Sequence, residues 1–97
     1  MNFLLSFALA VTLTWVDNSD NEDGFRLYRQ MPEGAFVILS TVGADVATVG
    51  DPAAEPGACY KVAAFDVSGE SGPSNTVCLP LLPAAPSGLQ AKQVKQF

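Results

Sequence analysis

Apolar and polar residues alternate along most of this chain with a period of two, the repeat of a β-strand whose two faces see different surroundings. Val11, Leu13 and Trp15 alternate with Thr12, Thr14 and Val16, which gives one strongly apolar face. Phe25-Arg26-Leu27-Tyr28-Arg29 repeats the pattern and turns Phe25 and Leu27 inward. Phe36–Ser40 and Val46–Val49 predict two short strands separated by Gly43-Ala44-Asp45. Tyr60, Val62 and Ala64 form a further inward set with Lys61, Ala63 and Phe65 opposite, and Thr76–Leu79 closes the series. Turn-forming residues cluster between these runs, at Asp17–Gly24, Pro32-Glu33-Gly34, Asp51–Gly57 and Val67–Pro73. No run sustains the three-and-four spacing of an amphipathic helix. Short strands punctuated about every 8–12 residues predict an all-β sandwich or small barrel, with Trp15 near the centre of its core.

The two ends break the pattern. Met1–Val16 is uncharged and apolar, and Ala8-Leu9-Ala10 matches a small-x-small cleavage pattern. The run has no Lys or Arg, however, and cleavage after Ala10 would release ten residues, against roughly 15–30 for a signal peptide. It is also shorter than the about 20 apolar residues of a bilayer span. It reads as a first strand. After Leu79, Pro80, Pro83 and Pro86 punctuate a segment without acidic residues, which predicts an extended arm outside the main sheet. The chain thus divides into a body, residues 1–80, and a C-terminal arm, residues 81–97.

Charge sharpens this division. The chain of 97 residues is 48% hydrophobic and 15% charged, the balance of one globular domain. All ten acidic residues lie between Asp17 and Glu70, alongside Arg26, Arg29 and Lys61, so the body carries −7. The arm carries only Lys92 and Lys95, or +2, and the total is −5. An acidic body repels phosphates and anionic headgroups, which argues against nucleic acid and membrane partners. The basic arm suits docking onto an acidic neighbour.

Two motifs in order are familiar. Leu13-Thr14-Trp15-Val16-Asp17-Asn18-Ser19-Asp20-Asn21-Glu22-Asp23-Gly24-Phe25-Arg26-Leu27-Tyr28-Arg29 resembles the second-strand, loop and third-strand region of bacterial and phage fibronectin type III domains. Pro56-Gly57-Ala58-Cys59-Tyr60-Lys61-Val62-Ala63-Ala64-Phe65, followed by Ser68-Gly69-Glu70-Ser71-Gly72-Pro73-Ser74-Asn75-Thr76-Val77, resembles their last two strands and hairpin. The resemblance covers residues 3–79. It implies a seven-strand, two-sheet Greek-key sandwich with Trp15 and Tyr60 in the core, but no single activity. The chain departs from it in two places. The first strand would be the unusually apolar Phe3–Ala10 rather than a Pro-rich start. Pro83-Ala84-Ala85-Pro86-Ser87-Gly88-Leu89-Gln90-Ala91, moreover, looks like the opening strand of a second such domain that then stops.

Candidate chemistry is sparse. The chain has no histidine, which removes His-based acid–base catalysis and His metal ligation. It has no phosphate loop or nucleophile elbow, and it reads as a non-enzyme without cofactors or a metal site. In the fold the resemblance implies, Cys59 and Cys78 lie on adjacent antiparallel strands, on the face opposite Tyr60 and Val62. A cross-strand disulfide and a pair of buried free thiols are both open; a disulfide would place the protein outside a reducing cytosol. Asp17, Ser19, Asn21 and Asp23 alternate like calcium ligands, but Glu22 and Tyr28 stand where an EF-hand needs Gly and a carboxylate, so the loop reads as a turn. The Asp66–Asn75 loop carries no Arg-Gly-Asp and suits a hairpin that adds to a contact surface.

Attention therefore moves to the arm. Exposed apolar residues in series seek cover, so Leu79, Leu81 and Leu82 either fold back on the domain or pack on a partner. On the second, leading reading Leu79, Leu81, Leu82, Leu89, Lys92, Val94, Lys95 and Phe97 are the expected partner-binding residues. The leading expectation is a structural module of a larger assembly, a phage or virus-like virion component that decorates or cements a capsid or tail. Its partners would be other virion subunits or copies of itself. The alternatives are a secreted bacterial adhesion or carbohydrate-associated module, and an accessory domain cut from a longer enzyme.

Overall fold

The computed structural model describes residues 9–93. The N-terminal strand expected at Phe3–Ala10 falls mostly outside them, as do Val94, Lys95 and Phe97. Seven strands follow in order: β1 Leu9–Thr14, β2 Gly24–Gln30, β3 Phe36–Gly43, β4 Thr48–Ala54, β5 Cys59–Asp66, β6 Gly69–Glu70 and β7 Val77–Cys78. There is no helix among the described residues. β1 and β4 form a two-stranded sheet; β3, β2, β5 and β6 form the other in that order, with β7 also on β5. All pairings are antiparallel. The chain crosses between sheets from β1 to β2, from β3 to β4 and from β4 to β5. The result is an all-β sandwich with Greek-key connectivity.

Alternation drives this layout. Phe25 and Leu27 are buried, as their period-two spacing predicts, and Leu27 joins Ala54, Ala58 and Tyr60 in the core. Val11, Leu13, Leu39, Val49 and Val62 pack around that cluster from both sheets. The opposite face of the larger sheet is amphipathic. There the Arg26 guanidinium lies 4.2 Å over the Phe65 ring and the Lys61 ammonium 4.3 Å over Phe36. Such stacking lets long cations cover apolar surface while their heads stay wet. Ala63, on the same face and opposite Arg26, is buried as a result of its crowded position.

Two expectations need correction. The predicted strand Val46–Val49 begins at Thr48 and runs on to Ala54, through residues read as a turn. Its Pro52 is tolerated because, among the described residues, β4 pairs only with β1, where the register shifts between Leu9 and Val11. Trp15 does not sit at the core centre. It lies just past the end of β1, half-buried, 5.5 Å from the Phe25 ring. Among the described residues the smaller sheet has two strands and the larger one five.

The return from β5 explains a conspicuous stretch of sequence. Phe65 faces Glu70 while Tyr60 faces Val77, so five steps along β5 correspond to seven on the returning chain. Pro73 lies in this bulged stretch, where it offers no N–H. Serines flank it and keep the ladder going. The Ala64 N–H donates to Ser71 Oγ at 3.0 Å and the Val62 N–H to Ser74 Oγ at 3.0 Å. The Ser71 and Ser74 N–H groups answer to the Ala64 and Val62 carbonyls, each at 2.8 Å.

Cys59 and Cys78 face each other across β5 and β7 and form a disulfide, with Cα atoms 4.0 Å apart. β7 is two residues long, so this bond is its main anchor. A cross-link over a separation of 19 residues restricts the unfolded chain by about 3 kcal/mol. Replacing both cysteines by serine is expected to lower the unfolding free energy by about that amount, measured by guanidinium titration with intact wild type alongside.

Candidate interaction site

The body's polar centre lies between the sheets. Asp51, on β4, is 1% exposed. Its carboxylate accepts two hydrogen bonds from Arg29 Nη1, at 3.0 and 3.1 Å, and one from Tyr60 Oη at 2.7 Å. The Ala53 N–H adds a fourth at 3.1 Å. Arg29 comes from β2 and Tyr60 from β5, so one acid of the small sheet is held by two strands of the large one. Burial pushes the Asp51 carboxyl up, but the bonds from Tyr60, Ala53 and Arg29 outweigh it and hold the group below its usual value. Burial first, then donation to Asp51, drives the Tyr60 phenol well above its usual value. The sequence places Asp51 in a turn cluster and so hides this role. The available signal is Arg29, which shares inward parity with Phe25 and Leu27 and, once inside, requires an acid.

Beside this centre the sandwich is open. A groove of about 700 Å³ runs along β1 and the returning chain, lined by Leu13, Trp15, Phe25, Val62, Pro73 and Val77 among others. The Trp15 Nε1–H is buried there and has no hydrogen-bond acceptor among the described residues. β1 pairs only with β4 among the described residues, so its other edge, toward the groove, leaves backbone groups unpaired. Next to the groove the Asp17–Gly24 loop is folded on itself. The Ser19 N–H donates to Asp17 at 3.1 Å and the Ser19 hydroxyl to Glu22.

The arm leaves from the opposite end of β7. Leu79 belongs to the body: its N–H donates to the Ala58 carbonyl at 2.8 Å and its side chain packs on the core. The Gly57 N–H donates to the Pro80 carbonyl at 3.2 Å. Gly57 has φ +84, and a Cβ there would meet Leu81 Cδ2 at 2.5 Å, so this glycine is needed both for its turn and for the seat of Leu81. Beyond Leu81 the arm is free of regular structure through residue 93. Leu81 and Leu82 are each 74% exposed, and Leu89 is 99% exposed. Lys92 is exposed too. The structure therefore splits the expected partner-binding set. Leu79 is committed to the core, Leu81 is tethered, and Leu82, Leu89 and Lys92 face solvent.

Compared with protein-family models, curated proteins and solved structures, the chain matches none.

The Asp51 cluster sets a pH window. Because Asp51 titrates lower in the fold than the about 3.9 of an unfolded aspartate, its contribution is complete above that value and is lost as pH falls through the folded pKa. Tyr60 has the reverse sign: its contribution is complete below the usual phenol value of about 10 and is lost as pH rises toward the higher folded pKa. Asp51→Ala, which leaves Arg29 unpaired, is expected to cost about 3 kcal/mol at neutral pH. Urea titrations of the variant should also show a flatter loss of stability below pH 4 than the wild type shows, since about 3.9 is the reference aspartate pKa.

Proposed function

We propose that this chain is a fibronectin type III-like module that acts by assembly rather than catalysis, as a structural component of a phage or virus-like particle that docks through its C-terminal arm. The observation that carries this reading is the arm itself, with Leu82 and Leu89 held in water at 74% and 99% exposure. Leucines so exposed in an extended segment gain by finding an apolar surface, and the body offers them none along their course. The strand order supports the fibronectin-like reading. So does the burial of Tyr60 in the core, which the resemblance implies. The absence of histidine from the sequence supports a non-catalytic role. No nucleic acid or membrane is proposed as a partner of so acidic a body.

The disulfide favours a second reading, a secreted bacterial adhesion or carbohydrate-associated module, because such bonds persist outside the reducing cytosol. Sedimentation separates the two. On the leading reading, the chain is recovered with particles from the producing culture, and a chain lacking residues 81–97 stays in the supernatant. Recovery of the intact chain at its monomer size in the medium, or equal sedimentation of the truncated chain, would favour the second reading and remove the first.

A further inference from the structure

The groove beside β1 is lined largely by apolar side chains, and the arm carries exposed leucines and the chain's two C-terminal lysines. We propose that the groove accepts the C-terminal arm of a second copy of this chain as an added strand on β1, so that copies join head to tail. This rests on the assembly reading and names its acceptor and its partner.

The acceptor has two features. Among the described residues one edge of β1, a six-residue strand, has no backbone partner, and the groove beside it is lined by apolar side chains. Strand addition answers both at once, with main-chain hydrogen bonds along the edge and alternate side chains into the cleft. Ser87–Gln93 is free of proline, so each of its residues has an N–H to give. At about 3.3 Å per residue it spans the length of β1. In a strand, Leu89 and Ala91 share one face while Gln90 and Lys92 share the other. Leu89 and Ala91 would enter the groove and Lys92 would stay in water.

The donor comes from another copy because its own arm points away. Pro80, Pro83 and Pro86 hold the root of the arm extended and oppose a tight reversal beside β7. The radius of gyration is 20.7 Å and the longest extent 81 Å, against about 13 Å for the gyration radius of a compact chain of 100 residues. The arm thus projects well beyond the body. Charge favours the same pairing. Two bodies at −7 repel, whereas an arm at +2 is drawn to an acidic body whose groove is lined at one end by Asp17. Donor and acceptor are different surfaces, so the contact is heterologous and continues from copy to copy unless a ring closes.

Light scattering on the full-length chain, with Trp15 fluorescence as the reporter, tests this. Trp15 is the one tryptophan and lines the groove. The mass should rise with concentration and fall with added salt. A synthetic peptide of residues 81–97 should cap the chains, lower the mass and shift Trp15 emission. The same peptide carrying Leu89→Asp should bind about tenfold or more weakly, and full-length Leu89→Asp should be a monomer with the wild-type circular dichroism spectrum. A wild-type monomer at every concentration overturns the proposal, as does an oligomer that Leu89→Asp leaves intact. Binding of the peptide only after residues 1–8 are removed would show the groove filled by the chain's own N-terminal segment, and overturns it too. Self-association without particle sedimentation would remove the assembly reading alone, and particle sedimentation of a chain that stays monomeric would remove this proposal alone.

Discussion

Everything in the body is arranged around one buried carboxylate. Asp51 is the point where the two sheets are joined by polar bonds, and four hydrogen bonds compensate for taking its charge out of water. The apolar core beside it is modest, with two alanines among its four fully enclosed members. Such a core tolerates sliding better than one built from interlocking aromatics. The carboxylate does not. A one-residue slip of β4 against β1 would turn Asp51 to the outside and strand the Arg29 guanidinium and Tyr60 hydroxyl in the interior. The polar cluster therefore selects one register of the small sheet and, through Arg29 and Tyr60, its placement over the large one.

The strands that alternate cleanly were legible in the sequence, and those whose environment changes along their length were not. Phe25 and Leu27 announce β2 because each faces the core and its neighbours face water. β4 is hidden for the opposite reason: Gly50, Asp51 and Pro52 are turn formers by local preference, and only tertiary contacts make them a strand. Trp15 misleads because size suggests a central place, whereas its position past the end of β1 puts it where the sheets part. The arm was legible in composition, from its prolines and its lack of acids. Its boundary was not, since the turn that fixes Leu79 and Leu81 depends on Gly57, more than twenty residues earlier. The groove had no signal at all, because it lies where the two sheets of the described residues part rather than along any one run of sequence.

The serines around Pro73 show how the returning chain keeps its hydrogen bonds while gaining length. Each hydroxyl accepts from a β5 N–H and donates to a carbonyl of its own segment, Gly72 for Ser71 and Asn75 for Ser74. Two side chains thus replace backbone partners that the bulge removes. The bulged stretch also forms one wall of the groove, so its geometry shapes that opening as well as the hairpin.

The disulfide has a mechanical meaning. Traction on the arm enters the body at Leu81 and Pro80, immediately beyond β7. That strand has two residues, and by hydrogen bonds alone it would peel from the edge one rung at a time. The covalent link from Cys78 to Cys59 instead passes tension directly to β5, which is paired with β2 along seven of its eight residues. Load reaches β5 in shear along a long ladder rather than by unzipping a short one. The weakest strand of the sandwich is thereby relieved of the force that its neighbour is best built to carry.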